Sequence, residues 1–133
     1  MRHIKLLLCL SSVGLLAAAA PVPSLKLFDG FRAGTWQMTP RDSAGSSATV
    51  APQCLANPDR LVHTGHSSAD GDCGHTVVED GADRATVTYV CKGRGYGRTS
   101  IRREGDAFIV DAQGIDGREP YELRGEYKRV GDC

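Results

Sequence analysis

Three histidines, His63, His66 and His75, fall within thirteen residues, with Asp70 and Asp72 between them. Imidazoles and carboxylates together suit zinc, copper or nickel. His-x-x-His in a polar loop is a loose pattern, and a solvated loop explains the same residues. The segment is read as a weak metal binder at most, with no cofactor required. It also holds Ser67 and Ser68 beside His66 and Asp70, the residue types of a hydrolase triad. Their crowding into one loop argues against that chemistry, because a triad needs rigid orientation from separate elements. No Gly-x-Ser-x-Gly is present. A second cluster is cationic: Lys92, Arg94, Arg98, Arg102 and Arg103, with Tyr96 among them. It would suit an anionic headgroup, a polysaccharide or an acidic partner. The competing reading is a solvated strand edge whose charge discourages sheet-to-sheet aggregation. The run Gly93-Arg-Gly95-Tyr-Gly97 lacks the Lys-Ser/Thr and the helix of a phosphate loop. Glu104, Asp106, Asp111, Asp116 and Glu119 sit where turns are expected, and turn chemistry explains them. No catalytic set emerges. The candidate contact residues are Arg94, Tyr96, Arg98, Arg102 and Trp36.

The cysteines are read as structural. Arg2, His3 and Lys5 precede the uncharged run Leu6 to Ala20, and Ala17 to Ala20 end it with small residues. This is the pattern of a secretory signal peptide, too short for a stable membrane span. Cleavage near Ala19 or Ala20 is expected, with export to the periplasm or beyond. Removing residues 1–19 leaves 14 basic against 16 acidic residues, a net charge of −2. That argues against a nucleic-acid partner held by bulk charge. Cys9 leaves with the signal, and Cys54, Cys73, Cys91 and Cys133 remain, an even set that predicts two disulfides. No Cys-x-x-Cys redox pair is present.

The positioning elements read as strands. Residues 20–33 form a leader that becomes ordered near Leu25, and a single domain spans 34–133. Gly34 to Met38 is a first short strand, with Trp36 filling the core and its N–H seeking a buried acceptor. Pro40 to Ser47 is a turn, and Ala48 to Cys54 a second strand limited by Pro52. Asn57 would cap a short helix with Pro58 in its first position. His63 to Asp72 reads as a polar, mobile loop. Cys73 to Cys91 is a hairpin: a short arm at Thr76 to Val78, a polar break at Glu79 to Asp83, then Ala85, Val87, Tyr89 and Cys91 on one face. Lys92 to Arg98 is a glycine-rich loop or twisted edge. Strands follow at Thr99 to Arg103, Ala107 to Gln113 and Glu119 to Val130, with a turn at Gly114 to Arg118. The last strand sets Tyr121, Leu123, Gly125 and Tyr127 on one face, against a solvated opposite face. The sum is a mainly β domain: an antiparallel meander forming a half-barrel or small barrel, with one short helix and two disulfides.

These features, in order, are a signal peptide, Gly34-Thr35-Trp36, Cys54-Leu55, Cys73, a strand ending in Cys91 and a terminal Arg129-Val-Gly-Asp-Cys133. The set resembles the DUF3617 family of exported proteins of Gram-negative bacteria. The resemblance implies a small periplasmic or secreted β-rich domain with paired cysteines and no established molecular function. The histidine loop and the basic glycine segment depart from it.

A hairpin centred near Gly81–Asp83 sets Cys73 and Cys91 at one height, which favours 73–91 with 54–133. The second choice is 54–73 with 91–133. The expected function is a non-enzymatic exported domain that binds a small ligand or an envelope partner. The small-ligand version, an apolar ligand in a barrel mouth, expects an apolar pocket of several hundred Å3 under Trp36; a solid interior there would leave the protein-contact version. One alternative is a periplasmic enzyme inhibitor or stress protein acting through a rigid loop at 63–72 or 92–98. Another is weak metal binding through His63, His66 and His75.

Overall fold

The computed structural model describes residues 21–41, 50–67 and 72–133. The expected signal segment, most of the turn after Pro40, Ser68 and Asp70 lie outside these residues. The elements are a 3-10 turn at Lys26–Phe28, β1 (Gly34–Pro40), β2 (Gln53–Leu55), a single helical turn α1 (Asp59–Val62), β3 (Cys73–Asp80), β4 (Arg84–Cys91), β5 (Gly95–Glu104), β6 (Ala107–Asp116) and β7 (Glu119–Gly131). All seven strands join one antiparallel sheet in the order β2-β1-β7-β6-β5-β4-β3. The sheet stays open, with β2 and β3 as its edges. The expected antiparallel meander is therefore present, without closure into a barrel. Among the described residues, no helix is long and apolar enough to cross a membrane.

Alternation decides which face is buried. Ala85, Val87, Tyr89 and Cys91 of β4 face the core beside Ile101 of β5 and Phe108, Val110 and Ala112 of β6. Leu25 and Leu27 from the N-terminal segment, Leu55, and Leu61 and Val62 of α1 close over them. The leader thus packs as part of the domain. At one end Phe31 stacks on Trp36 with centroids 5.1 Å apart, and Phe28 and Phe108 complete an aromatic cluster. The Trp36 Nε1–H donates to the Arg32 carbonyl at 3.2 Å, the acceptor its burial requires.

Thr99 of β5, 1 % exposed, donates its hydroxyl to the Val62 carbonyl at 2.6 Å and so fastens α1 to the sheet. Thr99→Val keeps the shape and removes the donor, stranding a carbonyl at the end of a helical turn. Chemical denaturation should show a loss of about 1–2 kcal/mol with an unchanged m-value.

Several local expectations are corrected. α1 starts at Asp59, one residue later than read, with Pro58 before it; Asn57 Oδ1 still accepts from the Asp59 N–H at 3.1 Å. The first hairpin arm runs the full Cys73–Asp80, because a bulge between Val77 and Glu79 absorbs Val78 and lets the polar end pair. The glycine-rich stretch is no loop or edge. Only Lys92, Gly93 and Arg94 turn; Gly95 to Arg98 belong to β5, an interior strand. Likewise Gly114 to Asp116 extend β6 into the expected turn. Both disulfides follow the favoured pairing: Cys73–Cys91 joins directly opposed positions with Cα atoms 4.0 Å apart, and Cys54–Cys133 joins β2 to the chain end at 5.4 Å.

Candidate functional site

Of the expected mobile loop, the segment His63 to Ser67 is folded onto the sheet. His63, Thr64 and His66 are each under 10 % exposed, on a segment that α1 delivers onto β4, β5 and β7. His63 Nε2 lies 2.9 Å from His75 Nε2 on β3, and both rings border Tyr89. His66 Nε2 meets the Arg94 carbonyl at 3.1 Å. The next residue, Ser67, donates its backbone N–H and hydroxyl to Asp116 at 3.0 and 2.8 Å, and receives the Arg94 guanidinium at 2.8 Å. Beneath them the Tyr89 and Tyr121 hydroxyls share a 2.6 Å hydrogen bond. Burial, reinforced by that bond, pushes the Tyr89 phenol far above the ordinary tyrosine value; burial also raises Tyr121 and Tyr127. All three stay protonated. The Ser67 hydrogen bonds hold the Asp116 carboxyl below its usual range.

This arrangement orients groups toward structure rather than reaction. Ser67 Oγ is bound to a carboxylate, and His66 is turned to a backbone carbonyl, the reverse of the serine–imidazole contact a nucleophile needs. Of the three histidines the fold joins His63 to His75 and directs His66 elsewhere. Among the described residues, no three His, Cys, Asp or Glu side chains stand together to hold a metal ion.

The other sheet face is different. At one end Val90 of β4, Tyr96 of β5, Ile115 of β6 and Pro120 of β7 are in register, forming one apolar row across four strands. Val90 is 67 % and Tyr96 56 % exposed, unusual for large apolar groups on interior strands. The next row is polar: Thr88, Arg98, Gln113 and Glu122. The two rows line an open groove of about 610 Å3. A smaller recess of about 180 Å3 continues it past Ser100, Asp111 and Arg124.

Of the sequence candidates, Tyr96 and Arg98 stand in this groove. Arg102 shares the strand face but lies farther along, paired with Glu104 at 2.8 Å. Arg94 is in the turn, bound to Ser67. Trp36 is 4 % exposed in the aromatic cluster on the opposite side of the sheet. The recess beside it holds about 190 Å3 and is lined by Arg32, Arg103, Asp106 and Arg129 as well as by rings, so the space under Trp36 is filled rather than a pocket of several hundred Å3. Val90, Ile115 and Pro120 were missed because they lie on three strands and meet only through register. The outward position of Val90 in an alternating strand was the one available signal. Comparison with protein-family models, with curated proteins and with solved structures finds no match to this chain.

Proposed function

We propose that the protein is an exported, non-enzymatic β-domain that binds a small ligand or an envelope partner through the open sheet face at Val90, Tyr96, Ile115 and Pro120. The single observation behind this reading is the exposed apolar row in register across four strands. Such a row has no role in the fold's own core, and concentrated exposed apolar surface marks contact sites. Export is supported by the N-terminal signal pattern and by two disulfides, which persist in oxidising compartments. The resemblance to DUF3617 proteins agrees with it. The inhibitor reading loses ground because the segment from His63 to Ser67 is folded down instead of projecting. The non-enzymatic reading draws on the engagement of His63, His66 and Ser67 in holding that segment.

The test is capture from periplasmic extract by wild-type protein and by Val90→Ser/Tyr96→Ser, followed by mass spectrometry of protein and small-molecule fractions. Both residues are exposed, so the variant should melt within a few degrees of wild type. The wild type should retain a species that the variant loses. Identical capture by both proteins would remove the face from consideration.

A further inference from the structure

The groove on the open face restricts what can occupy it. It is built on β4, β5 and β6, each paired on both sides, and on the Glu119–Arg124 end of β7, which pairs with β6 but lies beyond the β1 ladder that covers Gly125–Gly131. Across β4, β5 and β6 the backbone N–H and C=O groups are spent in the ladder, so an extended peptide could add as a strand only beyond the groove, at the outer edge of β7, and not across its floor. An occupant lying across the face is held by side chains. Those side chains fall into two parallel stripes. One is Val90, Tyr96, Ile115 and Pro120, which offers methyl surface and one exposed ring. The other is Thr88, Arg98, Gln113 and Glu122, which offers a hydroxyl, a guanidinium, an amide and a carboxylate. At about 4.8 Å between strands, four positions extend over roughly 14 Å. The charges in the polar stripe cancel, Arg98 against Glu122, so the groove does not select an anion. The side chains of Arg98 and Gln113 make no hydrogen bond or ion pair among the described residues, so both keep their side-chain donors for a ligand. The continuing recess past Ser100, Asp111 and Arg124 is polar and also mixed in sign.

An uncharged molecule matches this pattern when it has an apolar face, closely spaced hydroxyls along its edge and an elongated shape. We propose that the face binds a neutral oligosaccharide. One sugar ring lies against Tyr96 and the methyl groups of Val90 and Ile115, and its hydroxyls bond to Arg98, Gln113 and Glu122. This rests on the open-face reading given above and names the class of ligand for it. A sugar ring presents axial C–H groups on one face and hydroxyls at its rim, which is the division between the two stripes. The mixed donors and acceptors also serve hydroxyls, which do both.

The experiment is calorimetric titration of the purified, oxidised protein with maltohexaose, cellohexaose and N-acetylated chitohexaose, with a heparin hexasaccharide as the anionic probe. At least one neutral hexaose should bind, and the anionic probe should not bind more tightly. Tyr96→Ala and Arg98→Ala should each weaken binding tenfold or more. Arg84→Ala, on the same face but at the far end of β4, should leave it unchanged. All three positions are exposed, and unchanged melting curves confirm that the variants are folded. Failure of every neutral hexaose, preference for heparin, or equal binding by Tyr96→Ala overturns the sugar proposal. If the hexaoses fail while Val90→Ser/Tyr96→Ser still loses a protein from periplasmic extract, the face is a contact surface for protein and only the sugar assignment falls. If neither readout changes, the contact face falls with it.

Discussion

Gly97→Ala should be among the most damaging single-methyl changes in this protein. A Cβ there would lie under 3.0 Å from the Tyr89 and Tyr121 hydroxyls. Both rings are wedged beneath the sheet, and their 2.6 Å hydrogen bond runs across the bare strand position. The methyl cannot be accommodated without separating the tyrosines, and Tyr89 is 1 % exposed with His63 and His66 packed on its ring. Overpacking together with the lost hydrogen bond should lower stability by about 3 kcal/mol. On a domain of this size that is a fall in Tm of roughly 10–15 °C. Gly114 sits opposite Gly97 on β6, and a Cβ there would meet the Tyr96 carbonyl and the Gly97 Cα, so Gly114→Ala should be similarly severe. Gly93→Ala is the contrast. Gly93 has φ +70° but open space around it, so only the left-handed conformation resists, at about 1 kcal/mol. Equal melting temperatures for Gly97→Ala and Gly93→Ala would refute the wedge.

The second large effect concerns the two disulfides, which should not be equivalent. Cys54–Cys133 closes a separation of 79 residues and Cys73–Cys91 one of 18. In the loop-closure account the first restrains the unfolded chain by about 4.5 kcal/mol and the second by about 3 kcal/mol. Their surroundings act in the opposite sense. Cys54 and Cys133 are exposed, whereas Cys73 and Cys91 are 1 % and 3 % exposed within the core. Cys54→Ala/Cys133→Ala should therefore show the full closure loss with an intact core. Cys73→Ala/Cys91→Ala adds to its smaller closure loss the removal of two buried sulfur atoms. Guanidinium titration of both double variants should place each about 3–5 kcal/mol below wild type. If Cys54→Ala/Cys133→Ala is as stable as wild type, loop closure is not what this bond contributes.

Much of this fold could be read along the chain. The period-2 runs at Ala85–Cys91 and Tyr121–Tyr127 name their buried faces, and a hairpin centred on Gly81–Asp83 favours Cys73 with Cys91, although the register that places them directly opposite is seen only in the structure. What could not be read depends on contacts between distant residues. His63 and His66 look solvated because imidazoles in a polar run usually are. Their partners, His75 and the Arg94 carbonyl, lie 12 and 28 residues away. Gly97 looks like a loop residue until Tyr89 and Tyr121 arrive beneath the strand, and Gly95 until the Ile115 backbone closes against it; nothing near them in the chain announces those contacts. The candidate surface shows the same pattern. Tyr96 and Arg98 stood out by type, while Ile115 and Pro120 acquire meaning only from the register that lines them up beside Val90.

The place of β1 also bears on the order in which the chain can assemble. From β4 to β7 each strand pairs with the one before it, across short turns. β1 instead pairs along its length with β7, Trp36 opposite Arg129 and Met38 opposite Tyr127, about ninety residues later. Synthesis delivers β1 first and β7 last. Until Glu119–Gly131 has emerged, β1 has only the three-residue β2 beside Gly34–Trp36, and Cys54 has no Cys133 to join. The long-range half of the molecule, disulfide included, is therefore completed only once the last strand is available, and a chain halted before β7 would leave β1 held by β2 alone.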